Sequence, residues 1–346
     1  MSGGRHLLKR SLAGLVFSIG ITFLIIMLFN IPLATVLSIR PSLLLLSMGL
    51  CLARLLAQGL RFHLLVRHYS TTSMSMGEAF MVRGVSEFFA LTTIPFMADE
   101  AVRAWILMER GENPVVALWI AFVELILDVL VAAPIALLSG FAAMSHGVIS
   151  VAMVLVTIPA LQLILVTALL TQSRHRGLAR LNRLISRIEG RLPVFGGVLN
   201  MFKQPGPDPQ GFLKPLIFSR GKSISAGLLS ATVVVMLIPA VTLYAVFSSY
   251  TAIRFVDAIY AFHAGNTLGV LPVTAGGAGL TEAGVYLFSS RVLGVYSWTA
   301  VILWRILTYY LTLLVSGAML TYYVLKRLRT HFNKLPRHAS EVPGLK

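Results

Sequence analysis

Glu124 and Asp128 stand four residues apart in an apolar run, so a helix puts both carboxylates on one face with no cation beside them. An ionisable group at membrane depth costs about 2.5–3.5 kcal/mol on insertion scales, so each must be protonated or meet a cation from elsewhere. Arg305 and Arg54, both inside apolar segments, are the expected partners. Arg83 with Glu87, and Asp99 with Arg103, have the i,i+4 spacing of local pairs. Glu100 is left over near a helix start, where a carboxylate is favoured by the helix dipole. Glu282 and Arg305 invite a further ionic contact. Such groups serve ion pairing, binding, proton exchange or gating. Enzyme signatures do not accompany them. The glycines of Gly276–Gly279 lack the Lys-Ser/Thr ending of a P-loop, there is no HExxH, and no Ser, His and Asp group as a triad. The expectation is a protein that is not an enzyme and holds no catalytic residue, metal or cofactor.

Two stretches must position these groups. Leu268–Glu282, reading LGVLPVTAGGAGLTE, sets Pro272 before Gly276, Gly277 and Gly279 and ends in a lone carboxylate. Backbone freed by such residues survives at membrane depth only where protein buries it or a wet cavity solvates it. Ala79–Met108 repeats the pattern, too polar for a lipid-facing helix: a descending helix to about Thr93, a break at Pro95, and a short helix returning from Asp99. Both stretches read as broken, re-entrant hairpins lining a polar site.

The chain around them is built for a bilayer. It is 57% hydrophobic and 12% charged, against about 25% charged for soluble domains. Spans of roughly 20 apolar residues are expected at Ser11–Phe29, Ser42–Leu60, Pro114–Ser139, Val148–Thr171, Ser223–Phe247 and Ser297–Leu325. The basic start (Arg5, Lys9, Arg10) and apolar Leu12–Phe29 could mimic a signal peptide, but no A-x-A-like site follows, so a retained first span is expected. Arg61, His63, Arg67 and His68 read as a basic turn after the second span, and Gly140–Gly147 as an external loop. The single cysteine, Cys51, is expected to be a small packing residue.

The net charge of +16 could point to nucleic acid, but the cations gather in the loops of one face, the positive-inside pattern of a cytoplasmic membrane protein. Both termini are therefore expected inside. Residues 172–222 hold ten Lys or Arg; their first half spaces Leu178, Leu181, Ile185, Ile188 and Leu192 as an amphipathic helix on the anionic inner leaflet, with a solvated basic linker as the alternative. Gln204–Gly211 is a proline-rich loop, and residues 326–346 form a basic tail. The fold class expected is an all-α integral membrane bundle of about six full spans plus two broken hairpins, in one domain. Residues 11–139 and 148–325 each read span, span, hairpin, span, from opposite faces. Such an inverted repeat puts a substrate site near the midplane.

Two motifs carry a resemblance. Thr92–Asp128, TTIPFMADEAVRAWILMERGENPVVALWIAFVELILD, resembles the first motif of the lysylphosphatidylglycerol synthase transmembrane-region family: a break, an acidic residue, an arginine, a short helix, then a span with Glu-Arg-x-x-Asp. Leu271–Val285, with Arg305 beyond it, is similar to that family's C-terminal signature. Matching positions are Glu100, Arg103, Glu124, Asp128, Pro272, Gly277, Gly279, Glu282 and Arg305; the usual glycine before the first glutamate is Asp99 here, and the arginine after the span glutamate is Leu125. In the two-part synthases a soluble domain makes the aminoacyl lipid and the membrane domain moves lipid between leaflets. This chain ends soon after its last span, so no synthase domain is expected. The resemblance implies a flippase-like transporter of a phospholipid or lipid-linked headgroup, not driven by ATP. Arg103 and Arg305 would face a phosphate, with Glu100, Glu124, Asp128 and Glu282 along the path, and membrane lipids as partners. Two rival readings stay open: an integral membrane transferase using Glu100 or Asp128 as general base, and a membrane partner docking a cytosolic enzyme through residues 172–222.

Overall fold

Without water, an apolar chain satisfies its backbone groups by forming helix, and no strand occurs among the described residues. The computed structural model describes residues 2–32, 34, 39–93, 98–171 and 222–334. The first half holds α1 (Ser2–Leu28), α2 (Pro41–Tyr69), α3 (Met76–Thr92), α4 (Ala98–Glu109) and α5 (Pro114–Ser145). The second holds α6 (Ile149–Thr171), α7 (Lys222–Phe247), α8 (Phe255–Gly269), a 3-10 turn (Ala275–Gly277), α9 (Leu280–Arg291), α10 (Trp298–Arg305), a π turn (Ile306–Tyr310) and α11 (Leu311–Lys334). Six helices are long and apolar enough to cross a membrane: α1, α2, α5, α6, α7 and the continuous α10–α11. The chain is a polytopic all-α membrane protein. Large apolar side chains such as Val16, Phe23, Met27, Met153 and Ile164 point outward from α1 and α6, where lipid covers them.

The remaining helices are short pairs. α3 and α4 have 17 and 12 residues, α8 and α9 have 15 and 12. Their boundaries follow local chemistry. Ser75 opens α3 with a capping box to Glu78, Asn113 caps α5 through Val115 N, and Ser297 caps α10 through Ala300 N. In the second pair, glycines at Gly265 and Gly284 let the helices touch. A Cβ on Gly284 would lie 2.7 Å from the Gly265 Cα, so nothing larger fits.

Packing is duplicated between the halves. α3 rests on α2 and on α11 of the other half; α8 rests on α7 and on α5 of the other half. α4 packs on α5 as α9 packs on α10, and α1 touches α3 as α6 touches α8. α2 and α7 pack on each other.

Three sequence expectations change. α2 does not stop at Leu60: it runs through the supposed basic turn to Tyr69, because Arg61 finds buried carboxylates to satisfy it. The external loop expected at Gly140–Gly147 is mostly helix, and only His146–Val148 turns the chain. The tail expected from Lys326 begins as the last turns of α11. The break at Pro95, the basic stretch up to Gly221 with its Gln204–Gly211 loop, and the tail beyond Lys334 lie outside the described residues.

Candidate functional site

Arg61 is the hub of the buried charges. It is 1% exposed, donates from Nε to Glu124 Oε1 at 2.9 Å, and forks its two Nη groups onto Asp128, with Nη2 3.3 Å from Oδ2. The one-turn spacing of Glu124 and Asp128 thus matches one guanidinium, a planar fork suited to carboxylates. Thr232 of α7 accepts a further bond from Arg61 Nη1 at 3.3 Å. Glu124, also 1% exposed, meets Arg103 Nη1 of α4 as well and lies 3.6 Å from Arg83 Nη1 of α3. Three helices supply the charge that Leu125 does not.

Around this hub the pairs loosen. Glu87 meets Arg54 at 3.2 Å and Arg83 at 3.4 Å, and accepts from Gln58 Nε2 at 3.1 Å. Asp99 meets Arg103 at 2.9 Å and Arg83 at 3.7 Å. The cation beside Glu100 is Arg103, at 3.6 Å; its carboxyl also lies against that of Asp99, and its buried Oε2 takes no bond from an N–H or hydroxyl donor. Arg54 Nε, Arg83 Nε and Gln58 Oε1 are buried and unpartnered too. Buried polar atoms are almost always paired, so several together mark a place where a ligand or water belongs.

The second hairpin brings its own pair. Glu282, fully buried, accepts from Gly279 N at 2.9 Å and forms an ion pair with Arg305, whose Nε lies 2.9 Å from Oε1. Glu100 and Glu282 are each the third residue of the returning helix in their hairpin, and each half ties that helix to the following span: Arg103 to Glu124, Glu282 to Arg305. Arg305 also donates from Nη2 to Gly276 O at 2.8 Å and lies 3.9 Å over the Tyr309 ring.

The second break rests on the C-terminal end of α3. Gly276 N donates to Thr93 O at 2.9 Å, and Tyr309 Oη donates to Leu91 O at 2.6 Å. Gly276 has φ +55°, and a Cβ there would sit 2.3 Å from Leu91 O, so the contact needs glycine twice over. Gly277 and Gly279 also take positive φ, and Pro272 lies in the loop before the 3-10 turn.

Between the hairpins lies a cavity of about 300 Å³. Among the described residues its wall carries five arginines (54, 61, 83, 103, 305) and four carboxylates (87, 99, 100, 128), with Asn266, Thr281 and Trp304 from the second half. Of the six charged residues expected on a path, Glu100, Arg103, Asp128 and Arg305 line it. Glu124 and Glu282 sit behind, each holding one of its arginines. The partner expected for Glu124 and Asp128 is corrected: Arg61 takes that role, while Arg54 turns to Glu87 and Arg305 to Glu282. Arg61 was missed because the apolar count ended at Leu60. Its signal was present, since Arg54, Gln58 and Arg61 fall at i, i+4, i+7 on one helical face.

A polar clasp holds the end of the first hairpin away from the spans. Glu112 accepts from Thr71 N at 2.7 Å, from Asn113 N at 3.0 Å and from the Ser70 hydroxyl. Burial would raise its pKa, but the hydrogen bonds from Ser70, Asn113, Thr71 and Thr72 outweigh it and hold the carboxyl below its usual value. Glu78, bonded by Arg110 and capping α3, is lowered to about 2.

Six helices long and apolar enough to cross, packed with pairs of shorter helices around a charged cavity, define a polytopic membrane protein. Residues 11–316 match the family model described as the lysylphosphatidylglycerol synthase TM region, and the chain belongs to that family. No curated protein matches it.

Proposed function

We propose that this protein moves a phosphate-bearing lipid between the leaflets of the cytoplasmic membrane, with the headgroup in the cavity and the acyl chains left in the bilayer. The observation that carries the reading is the cavity wall: five arginines, three of them (54, 83 and 305) with a buried Nε–H that has no hydrogen-bond partner, Arg305's lying against Glu282, beside the place where Gly276 rests on the end of α3. Arg54 and Arg83 have donors to offer a phosphate; Arg103 and Arg305 line the same wall with their guanidinium groups already engaged. The duplicated packing supports a two-fold inverted repeat, residues 11–139 and 148–325, with hairpins re-entering from opposite faces and both termini inside. Alternating access would then come from one repeat rocking against the other around that contact. The anionic inner leaflet would hold residues 172–222.

Proteoliposomes carrying labelled phospholipids or polyprenyl-phosphate sugars test this. Wild type should move at least one of them faster than empty vesicles, and Arg83→Gln should slow that movement about tenfold, the loss of one charge-assisted hydrogen bond. Movement of every lipid at the empty-vesicle rate would overturn the reading. One observation favours a second reading, a lipid transferase: nine ion-paired groups, six of them buried, sit on α2–α5. Turnover of a lipid with a soluble donor by purified protein in detergent, where no leaflets exist, would support that rival instead.

A further inference from the structure

The charges of the first cluster do not balance. Among the described residues, Arg54, Arg61, Arg83 and Arg103 face Glu87, Asp99, Glu100, Glu124 and Asp128, four cations against five carboxylates in one connected network. The second pair, Arg305 with Glu282, is neutral by itself and lends nothing. An unmatched buried charge is far more costly than a paired one, so the network needs one more positive charge.

Geometry says where that charge belongs. Asp99 and Glu124 hold Arg103 closely, so the more distant Glu100 shares a guanidinium already committed twice. Glu100 lines the cavity, and its Oε2 is buried with no donor bonded to it. Asp99 and Arg103 of α4 lie beside it; the other charged groups on the same cavity wall are Arg83 and Glu87 from α3, Asp128 from α5, Arg54 and Arg61 from α2 and Arg305 from α10, with Glu124 of α5 held by Arg61 and Arg103. Neighbouring Asp99 carries its own negative charge, and two adjacent carboxylates cannot both ionise cheaply.

We infer that Glu100 is a proton-binding site of the cavity, and that its proton is taken up from one side and released to the other as the headgroup crosses. The inference rests on the transport reading for its second half only. An anionic phosphate entering between Arg54 and Arg83 competes with Glu87 and Asp99 for those guanidinium groups and adds a negative charge, which favours a protonated Glu100. Emptying the cavity reverses this, and the proton leaves. Phosphate movement and proton movement are then linked through shared arginines.

Two measurements on the full-length chain test it. Infrared difference spectra of the purified protein across a pH titration should contain a protonated-carboxyl band that Glu100→Gln removes and Asp128→Asn keeps. A band that persists in Glu100→Gln overturns the proton site. In proteoliposomes with a one-unit pH difference, a single proton per lipid should drive a labelled lipid to about a tenfold ratio between leaflets. That ratio should collapse in Glu100→Gln, checked for folding by its unfolding temperature. Equal leaflet distribution in wild type, with lipid still moving, overturns the coupling and leaves the transport reading standing. No lipid movement with an intact carboxyl band does the opposite: transport falls and the proton site stands.

Discussion

Arg61 illustrates how a single side chain can fix four helices. From α2 it bonds Glu124 and Asp128 of α5 and Thr232 of α7, and through Glu124 it reaches Arg103 of α4. Removing one member of a buried ion pair strands the others, at about 3–5 kcal/mol. Arg61→Met is therefore expected to lower the unfolding temperature in detergent steeply. Arg61→Met combined with Glu124→Gln and Asp128→Asn should recover a large part of the loss, since all three charges then leave together. Recovery smaller than half would mean that Arg61 acts by packing more than by charge. The hub could have been anticipated from the 54, 58, 61 spacing, but the choice among Arg54, Arg61 and Arg305 as partner could not. Partner choice depends on which helices lie side by side, and spacing within one helix does not encode that.

At the scale of elements, the contact of Gly276 with the end of α3 makes the sharpest prediction. Gly276→Ala meets a Leu91 carbonyl with no room and takes an L-residue into positive φ, a cost of about 1–3 kcal/mol from the backbone alone. The unfolding temperature should fall, and amide exchange at Gly276, whose N–H is bonded to Thr93 O, should accelerate. Gly147→Ala, equally positive in φ but in open space, is the control and should cost less. The Glu112 clasp gives a pH signature. Its pKa is depressed in the folded state, so its stabilisation is present above the unfolded value of about 4.3 and lost as pH falls through the folded value. Replacing Glu112 with Gln should remove that acid-side loss of stability while lowering stability at neutral pH. An unchanged acid limb would assign it to other carboxylates. The second break was legible, because Pro272 and the glycines cannot continue a helix. Its contact with the end of α3 was not.

For the whole molecule, the inverted repeat we propose predicts sidedness. The single cysteine, Cys51, is buried, so a Cys51→Ser chain is a clean background for added thiols. A cysteine at Ser73, between α2 and α3, should react with an impermeant maleimide only after the inner face is opened. One at Tyr296, exposed between α9 and α10, should react from outside in intact cells. Labelling of both from the same side would rule out the inverted arrangement and with it the rocking scheme. The contacts of α3 and α8, each reaching a long helix of the opposite half, tie each short-helix pair to both halves.

Legible in the sequence were the class of protein, the six spans (the second and third expected nine and six residues too short at their ends), both polar stretches and most of the ionisable groups between them. Those follow from local rules: how long an apolar run must be to cross, where backbone breaks, and how costly a charge is in lipid. Tertiary structure alone decided that Arg61 belongs to the core, that Glu124 and Glu282 stand behind the cavity wall, and that Gly276 rests on Thr93. Each is a contact between residues far apart in the chain, set by which helices pack together and how closely glycine lets them approach. The imbalance of four arginines against five carboxylates is of the same kind. Residue counts give a chain-wide charge of +16, and only packing gathers a small negative excess at its centre.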